Sequence, residues 1–167
     1  ISNLKDNNIS RISQLSQKTN QFNLTTIRYT EDELRSKLLQ ESLIFCANVS
    51  DKFGDSGNTI GLIIDFDEEE NKYDINSYFL SCRILGHGTE EAFIKYIMNK
   101  IFIDQKSDEL LFTSRYIPTK KNIQTVNFYD KIGFEKISNS LNPVEYRYCM
   151  KKQFVIKFFY QISESDK

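Results

Sequence analysis

A glycine loop between an apolar run and a helical pattern is the feature that most constrains the fold. The apolar run at residues 78–82 predicts a strand, glycine occupies positions 86 and 88, and residues 89–98 have helical spacing. Such a junction directs several backbone N–H groups and the positive end of a helix dipole at one point. A phosphate or diphosphate fits there, because glycine lacks the Cβ that would keep a ligand away from the backbone. A plain tight turn is the alternative reading of residues 83–88.

The spacing of this loop excludes two common phosphate-binding loops. Residues 83–88 read Arg-Ile-Leu-Gly-His-Gly, and Thr89 follows. No lysine follows the second glycine, as a triphosphate-binding loop requires, and no third glycine follows at dinucleotide-binding spacing. The pattern that remains is R-x-x-G-x-G.

Composition limits the class of protein. The 167 residues fit one domain, and 40% apolar with 13% aromatic residues are enough for a core. A net charge of −1 favours neither nucleic acid nor an anionic membrane as partner. The single histidine, His87, and the spacing of Cys46, Cys82 and Cys149 do not predict a metal site. We expect reduced thiols, with Cys46 and Cys149 in the core, and a cytoplasmic protein.

Periodicity and turn residues predict alternating strands and helices in one domain at residues 26–152. Residues 1–25 are polar, and we expect a linker with at most one short helical turn. Residues 153–167 are expected to form an extension, with an apolar stretch at 154–160 as a possible added strand. The chain begins without methionine, so we expect a piece of a longer protein. The predicted strands are 26–29, 42–49, 59–66, 73–82, 109–117, 134–137 and 145–150, and the predicted helices are 31–40, 89–101 and 119–132. Hairpins early and crossover helices later favour an α+β fold, a mixed sheet with helices on both faces.

A second motif lies one predicted helix and one predicted strand after the glycine loop. In residues 121–134, the positions Asn122, Phe128, Tyr129, Gly133 and Phe134 follow the pattern N-x-x-A-x-x-F-Y-x-x-x-G-F, with Val126 close to the usual small residue. The two motifs in this order resemble the GNAT acyltransferases. The resemblance implies a central mixed sheet that binds the diphosphate of coenzyme A through the glycine loop.

A closer resemblance covers residues 11–135. The stretches 11–30, 51–57, 81–90 and 116–122 are similar to the C-terminal GNAT-like domain of FkbH-like proteins. Those proteins join it to an upstream domain of the haloacid dehalogenase (HAD) superfamily, whose D-x-D-x-[TV] motif is absent here. The resemblance implies transfer of a glyceryl unit to the pantetheine thiol of an acyl carrier protein, for polyketide extender units. His87 stands where that family usually has arginine, which predicts weaker diphosphate binding or a different ligand.

The resemblance assigns roles to the loop and to the second motif. The loop would bind the diphosphate of coenzyme A or the phosphopantetheine of a carrier protein, through Arg83, Leu85, Gly86, His87, Gly88 and Thr89. Arg83 reaches phosphate or pairs with Glu90. Asn122 holds the pantetheine arm or caps a helix.

Two residues are candidates for the chemistry. Tyr129 would be the general acid that protonates a leaving thiolate, or else a buried aromatic residue that forms a hydrogen bond across the helix. Cys82 would take up an acyl group as a thioester, or else be a small core residue. Asn20, Asn23 and Asp55 are candidates for the substrate side, although Asp55 also suits a turn.

Three functions remain open from the sequence. The first is an acyltransferase that moves a glyceryl-type group to a carrier-protein thiol. The second is a non-catalytic GNAT-like module that docks the carrier protein or coenzyme A for the upstream HAD domain. The third is an N-acetyltransferase that uses acetyl-coenzyme A.

Overall fold

The computed structural model describes residues 1–3, 6–51, 54–151 and 162–164. Within them, seven strands form one mixed sheet in the order β1-β2-β3-β4-β5-β7-β6. The elements are β1 (Ser2–Asn3), α1 (Asp6–Lys18), α2 (Glu31–Leu39), β2 (Leu43–Asp51), β3 (Gly54–Asp67), β4 (Lys72–Leu80), α3 (Thr89–Gln105), β5 (Glu109–Tyr116), α4 (Phe128–Lys131), β6 (Glu135–Lys136) and β7 (Val144–Lys151), with 3-10 turns at Cys82–Ile84 and Ile123–Thr125.

The centre of the sheet is the parallel pair of β4 and β5. Strands β2, β3 and β4 pair antiparallel through hairpins, α3 crosses over to β5, and β5 pairs antiparallel with β7. The parallel pairing covers only residues 72–75 of β4 and 111–114 of β5. Beyond these four registers the two strands separate.

The sheet has an apolar cluster on each face. The larger cluster lies under α3 and α4 and includes Tyr78 and Leu80 of β4. The smaller one lies under α1 and α2 and includes Phe79 of β4 and Ile63 of β3. Successive strand residues point to opposite faces, so one strand contributes to both clusters. The expected mixed sheet with helices on both faces is confirmed.

The N-terminal residues are part of this domain, and the predicted linker at 1–25 is wrong. Residues 6–18 form a 13-residue helix, and Ile9, Ile12 and Leu15 are buried at every third position on one face. The hydroxyl groups of Ser13 and Ser16 hydrogen-bond to the main chain of Tyr29. Polar residues between the apolar positions hide this pattern. Residues 26–29, predicted as a strand, belong to no helix or strand.

The other predictions hold to different degrees. Threonine at 30 and glutamate three residues later predict a capping box, and helix α2 has it: Glu33 N donates to Thr30 Oγ1 at 3.2 Å, and Thr30 N donates to Glu33 Oε2 at 2.7 Å. The spacing of Leu34, Leu38 and Leu39 predicts one buried face, but Leu39 is 86% exposed and is not part of it. Glycine and aspartate at 51–58 predict a turn, but β3 already begins at Gly54. The predicted helix at 119–132 is replaced by a 3-10 turn and the four-residue α4. The apolar stretch at 154–160 lies outside the described residues.

Candidate functional site

The separation of β4 and β5 leaves one side of β4 without a neighbouring strand. The last register joins Ile75 to Ser114, after which β5 continues only against β7. Residues 76–80 of β4 therefore face a space that we call the β4–β5 gap. Backbone N–H and C=O groups along such an edge need partners when they are buried.

Residues 22–24 fill the β4–β5 gap, and we call them the gap segment. Leu24 N donates to the carbonyl oxygen of Tyr78 at 3.1 Å, and Leu80 N donates to that of Phe22 at 3.0 Å. On the opposite side, Ile117 N donates to the carbonyl oxygen of Leu24 at 2.8 Å. The gap segment thus bridges β4 and the chain just after β5.

Side chains of the gap segment complete the core at this point. Phe22 is 1% exposed, and its ring meets those of Tyr78 and Phe128 edge-on at 5.2 Å and 4.9 Å. Leu24 is also buried in the larger cluster. A ligand arm lying along β4 in this gap would have to displace both the hydrogen bonds and the Phe22 ring.

Hydrogen bonds of the Asn122 side chain link the gap segment to the chain at the end of β5. Its Nδ2 donates to the carbonyl oxygens of Asn23 at 3.1 Å and Ile117 at 3.0 Å. Its Oδ1 accepts from Thr119 N at 2.7 Å and from the hydroxyl groups of Thr119 and Tyr116. Asn122 is fully buried, and it does not cap the following turn with its side chain. The structure therefore contradicts the predicted helix cap and gives Asn122 a structural role, while its contact with a pantetheine arm remains a prediction.

The glycine loop has the predicted backbone geometry, and its first glycine amide already has an acceptor. Gly86 and Gly88 have φ of +83° and +80°, a region that favours glycine. Gly86 N donates to Oε1 of the buried Glu90 at 3.1 Å. His87 N donates to the carbonyl oxygen of Ile84 at 3.4 Å, and the His87 side chain is exposed. The Glu90 carboxylate thus accepts from Gly86 N, one of the amides that the sequence predicts to bind a phosphate.

The remaining loop residues differ in exposure. Arg83 is exposed and forms no ion pair with Glu90 or with any other described residue. Leu85 packs against the larger cluster. The Thr89 hydroxyl donates to the carbonyl oxygen of Ile84 at 3.4 Å, and Thr89 lines a cavity of about 180 Å³ between α3 and β2. The predicted phosphate contacts of these three residues remain predictions.

Tyr129 lies in the core where β4 and β5 separate. It is 1% exposed, and the rings of Phe134 and Tyr146 contact it, each at 5.1 Å. Its hydroxyl and that of Ser114 are buried without a hydrogen-bond partner among the described residues. Burial raises the pKa of Tyr129, while the neighbouring Ser114 hydroxyl acts in the opposite direction. The phenol is therefore protonated at neutral pH, as a proton donor must be.

The cysteines occupy different environments. Cys82 is exposed on the 3-10 turn after β4, so neither the predicted strand end nor the alternative of a core residue is correct. Cys46 is buried as predicted. Cys149 is exposed, contrary to prediction, and its thiol donates to Glu109 Oε1 at 2.8 Å. Among the described residues, no group of three or more histidine, cysteine or acidic residues is arranged to hold a metal ion.

The predicted substrate contacts of Asn20, Asn23 and Asp55 remain predictions, and the structure describes the side chains of the two asparagines. Asn20 is exposed, and its Oδ1 accepts from Arg28 at 2.7 Å. Asn23 lies in the gap segment, where its Nδ2 donates to the carbonyl oxygen of Ile27 and its buried Oδ1 has no partner among the described residues. Asp55 pairs through its backbone with Ser50 in the β2–β3 hairpin, and its side chain lies outside the description.

A polar cavity near Tyr129 was missed by sequence reasoning. Its volume is about 420 Å³, and it reaches Ser114 and Tyr146, which neighbour Tyr129. On its wall, Asp74 accepts from Thr113 at 2.9 Å and from Arg115 at 3.1 Å. Alternate polar residues in β4 and β5 were the available signal, but strand alternation alone does not indicate a cavity.

The comparisons with known proteins concern the fold. No family model matches the sequence, and no curated protein matches it. The ribosomal-protein-S18-alanine N-acetyltransferase from Escherichia coli superposes with a TM-score of 0.60 at 10% identity, over 95% of this chain and 97% of that one. Aminoglycoside acetyltransferase AAC(6')-Ib in complex with coenzyme A gives 0.63 at 13% identity, over 90% and 93%. A putative acetyltransferase of the GNAT family from Desulfovibrio desulfuricans gives 0.58 at 12% identity, over 89% and 96%.

These superpositions cover nearly whole chains on both sides, so the chain has the GNAT acetyltransferase fold. At such low identity they establish the fold alone. Among the described residues, no helix combines the length and the apolar character needed to cross a membrane.

Proposed function

We propose that this chain is an acyltransferase domain that receives a pantetheine thioester along β4 and moves its acyl group to the thiol of a carrier-protein arm. The observation that carries the proposal is the Tyr129 hydroxyl. It is buried, lacks a partner among the described residues, and neighbours Ser114, the last residue of β5 that pairs with β4 before the gap. A strand edge offers alternating N–H and C=O groups, which match the two amides of a pantetheine arm.

The chemistry needs one proton donor at the departing sulfur. The acceptor thiol loses its proton to solvent, and its thiolate attacks the thioester carbonyl carbon. The bond between that carbon and the donor sulfur breaks, the donor leaves as a thiolate, and solvent returns a proton to the group that protonates it. Tyr129 is protonated at neutral pH and is the candidate to give this thiolate its proton. Cys82 would add a covalent step, in which its thiol carries the acyl group between donor and acceptor.

The resemblance to FkbH-like proteins supports the finer assignment. It favours a glyceryl unit as the acyl group, an acyl carrier protein as the acceptor and a HAD-type domain upstream as a partner. Coenzyme A or the phosphopantetheine of the carrier protein would be the bound arm, with the glycine loop at its phosphate end.

Transfer requires the gap segment to leave β4. Phe22 and Leu24 occupy the edge of β4 along which the arm would lie, and two backbone hydrogen bonds hold them there. This closure favours a second candidate, the non-catalytic module that docks a carrier protein or coenzyme A without turnover.

Binding and mass measurements on the same protein separate these functions. Calorimetry with coenzyme A and with phosphopantetheinylated carrier protein tests whether an arm binds. Intact mass after incubation with a glyceryl-loaded partner then shows an acyl gain on Cys82, on the carrier or on neither. Tyr129→Phe removes the proposed proton donor and keeps the ring.

The acyltransferase predicts arm binding and acyl transfer that Tyr129→Phe slows, by roughly 100-fold for a lost general acid. Binding without transfer identifies the docking module. Transfer of acetyl from acetyl-coenzyme A to small amines identifies an N-acetyltransferase. Transfer at the normal rate by Cys82→Ala excludes the covalent route, and no binding of either arm refutes both the transferase and the docking module.

A further inference from the structure

The side chain of Glu90 is a buried carboxylate that contacts the glycine loop. It is the second residue of α3 and is 8% exposed. Oε1 accepts from Gly86 N at 3.1 Å, whereas Oε2 is buried and has no hydrogen-bond partner among the described residues. Acidic residues near a helix start are common, but they usually stay in water, because a buried carboxylate lacks hydration.

The position of this carboxylate is fixed by the first turn of α3. The Tyr78 hydroxyl donates to the Glu90 carbonyl oxygen at 2.6 Å, so the turn is tied to the edge of β4. Burial raises the pKa of Tyr78, and the negative charge of Glu90 raises it further. The Gly86 amide and the helix dipole at this point favour an anion, and the carboxylate of Glu90 supplies that negative charge from the chain itself.

We infer that Glu90 determines which arm the loop accepts, because its carboxylate occupies the anion position and disfavours a diphosphate. This inference rests on the proposed function. Coenzyme A brings a diphosphate to the loop, whereas a carrier-protein arm brings a single phosphodiester and pantetheine brings no phosphate. Repulsion between like charges grows with the charge on the ligand, so the penalty is largest for coenzyme A.

The test compares two neighbouring carboxylates of the same helical turn. Glu90→Gln keeps the shape and the acceptor oxygen for Gly86 N but removes the charge. Glu91→Gln is the matched control, since it removes the same charge from a less buried position. Calorimetry measures binding of coenzyme A, dephospho-coenzyme A and pantetheine to each variant, and circular dichroism checks that each is folded.

Glu90→Gln is expected to tighten binding of coenzyme A and of dephospho-coenzyme A by roughly tenfold or more and to leave pantetheine within about twofold. Glu91→Gln is expected to change binding of all three ligands by less than about threefold, because its charge is better screened. Dephospho-coenzyme A shows that the diphosphate, not the 3′-phosphate, is responsible.

Three results would overturn the inference alone. The first is pantetheine binding that rises as much as coenzyme A binding in Glu90→Gln, the second is equal effects of the two substitutions, and the third is no change in the binding of either ligand in Glu90→Gln. If none of the three ligands binds any variant, even when Phe22→Ala is added to loosen the gap segment, the inference fails. The proposed function fails with it when the phosphopantetheinylated carrier protein does not bind either, and stands when the carrier protein binds. Pantetheine binding that is unaffected by Glu90→Gln, with coenzyme A binding also unaffected, leaves the proposed function standing and removes the role of Glu90.

Discussion

Replacing Phe22 by alanine is expected to release the gap segment from β4. The Phe22 ring makes two edge-on contacts, with Tyr78 and with Phe128, and it is 1% exposed. Each such contact contributes about 0.5–1.5 kcal/mol beyond the burial of area, so about 2 kcal/mol of local stabilisation is lost. At 1.4 kcal/mol for each factor of ten, local opening of the gap segment becomes roughly 30-fold more populated.

Hydrogen exchange reports this opening directly. The amides of Leu24 and Leu80 are the donors between the gap segment and β4, and exchange at these amides tracks the population of the open form. Global stability also falls, by about 3–5 kcal/mol for the loss of a buried phenylalanine. Phe112→Ala is the matched control: this residue is fully buried in the same cluster but stacks on Tyr73, away from the gap segment.

The expected result is selective. In Phe22→Ala the amides of Leu24 and Leu80 exchange at least tenfold faster relative to other β4 amides, while Phe112→Ala accelerates exchange without this preference. Phe22→Leu keeps most of the apolar volume and gives a smaller selective effect if alanine unfolds the chain. Equal acceleration in the Phe22→Ala and Phe112→Ala variants would refute the idea that the gap segment opens as a local unit.

Three further predictions concern stability. Gly61→Ala places a Cβ 2.4 Å from the buried Phe79 ring, so it should cost about 1–3 kcal/mol in urea unfolding, and Phe79→Leu in the same chain should recover part of that loss. Asn122→Ala removes the donor to the buried carbonyl oxygen of Asn23 and to the partly buried one of Ile117, so it should cost about 2–4 kcal/mol by the same measurement; a loss below about 1 kcal/mol would contradict its role in holding the gap segment. A hydrogen bond to Glu164 and, to a smaller extent, burial raise the pKa of Tyr96 from 10.0 to about 12. The phenol therefore loses its proton at lower pH in the unfolded state than in the folded state, and the free energy of unfolding should fall as pH rises from about 10 to 12. In thermal unfolding, the Tyr96→Phe variant should show a shallower fall of stability over this range.

Local patterns predicted the elements that local interactions determine. The capping box of α2 and the glycine loop before α3 are set by residues three or four positions apart, and both were found as predicted. Helix α1 was missed, because its three buried apolar residues stand in a stretch that composition marks as a linker. The helix after β5 is shorter than predicted, because the residues before it form a turn in which Thr119 N donates to Asn122 Oδ1 and Asn122 N donates to Thr119 Oγ1.

The closure of the site was beyond sequence reasoning. Phe22 contacts Tyr78 and Phe128, which are far away in the chain, and no local pattern indicates that these rings meet. Glu90 looks like an ordinary acidic residue in a first helical turn, where negative charge is favoured in any helix. Only its burial and its hydrogen bond to Gly86 distinguish it.

The gap segment on β4 and the Glu90 carboxylate on Gly86 N both lower the affinity for an arm that enters the site. The gap segment is hydrogen-bonded to Leu80 N and to the carbonyl oxygen of Tyr78, and the Glu90 carboxylate accepts from Gly86 N. A ligand that binds to these backbone groups must therefore displace the gap segment and the carboxylate. When the open form is a small fraction of the population, the apparent affinity falls by that fraction. The two ring contacts of Phe22 alone favour the closed form by about 2 kcal/mol, which corresponds to a loss of roughly 30-fold in the affinity of a free arm. A carrier protein has further surface with which to bind and to offset this loss, whereas free coenzyme A has only its nucleotide. Under the proposed function, the closed gap and the buried carboxylate would both favour an arm that a protein carries over free coenzyme A.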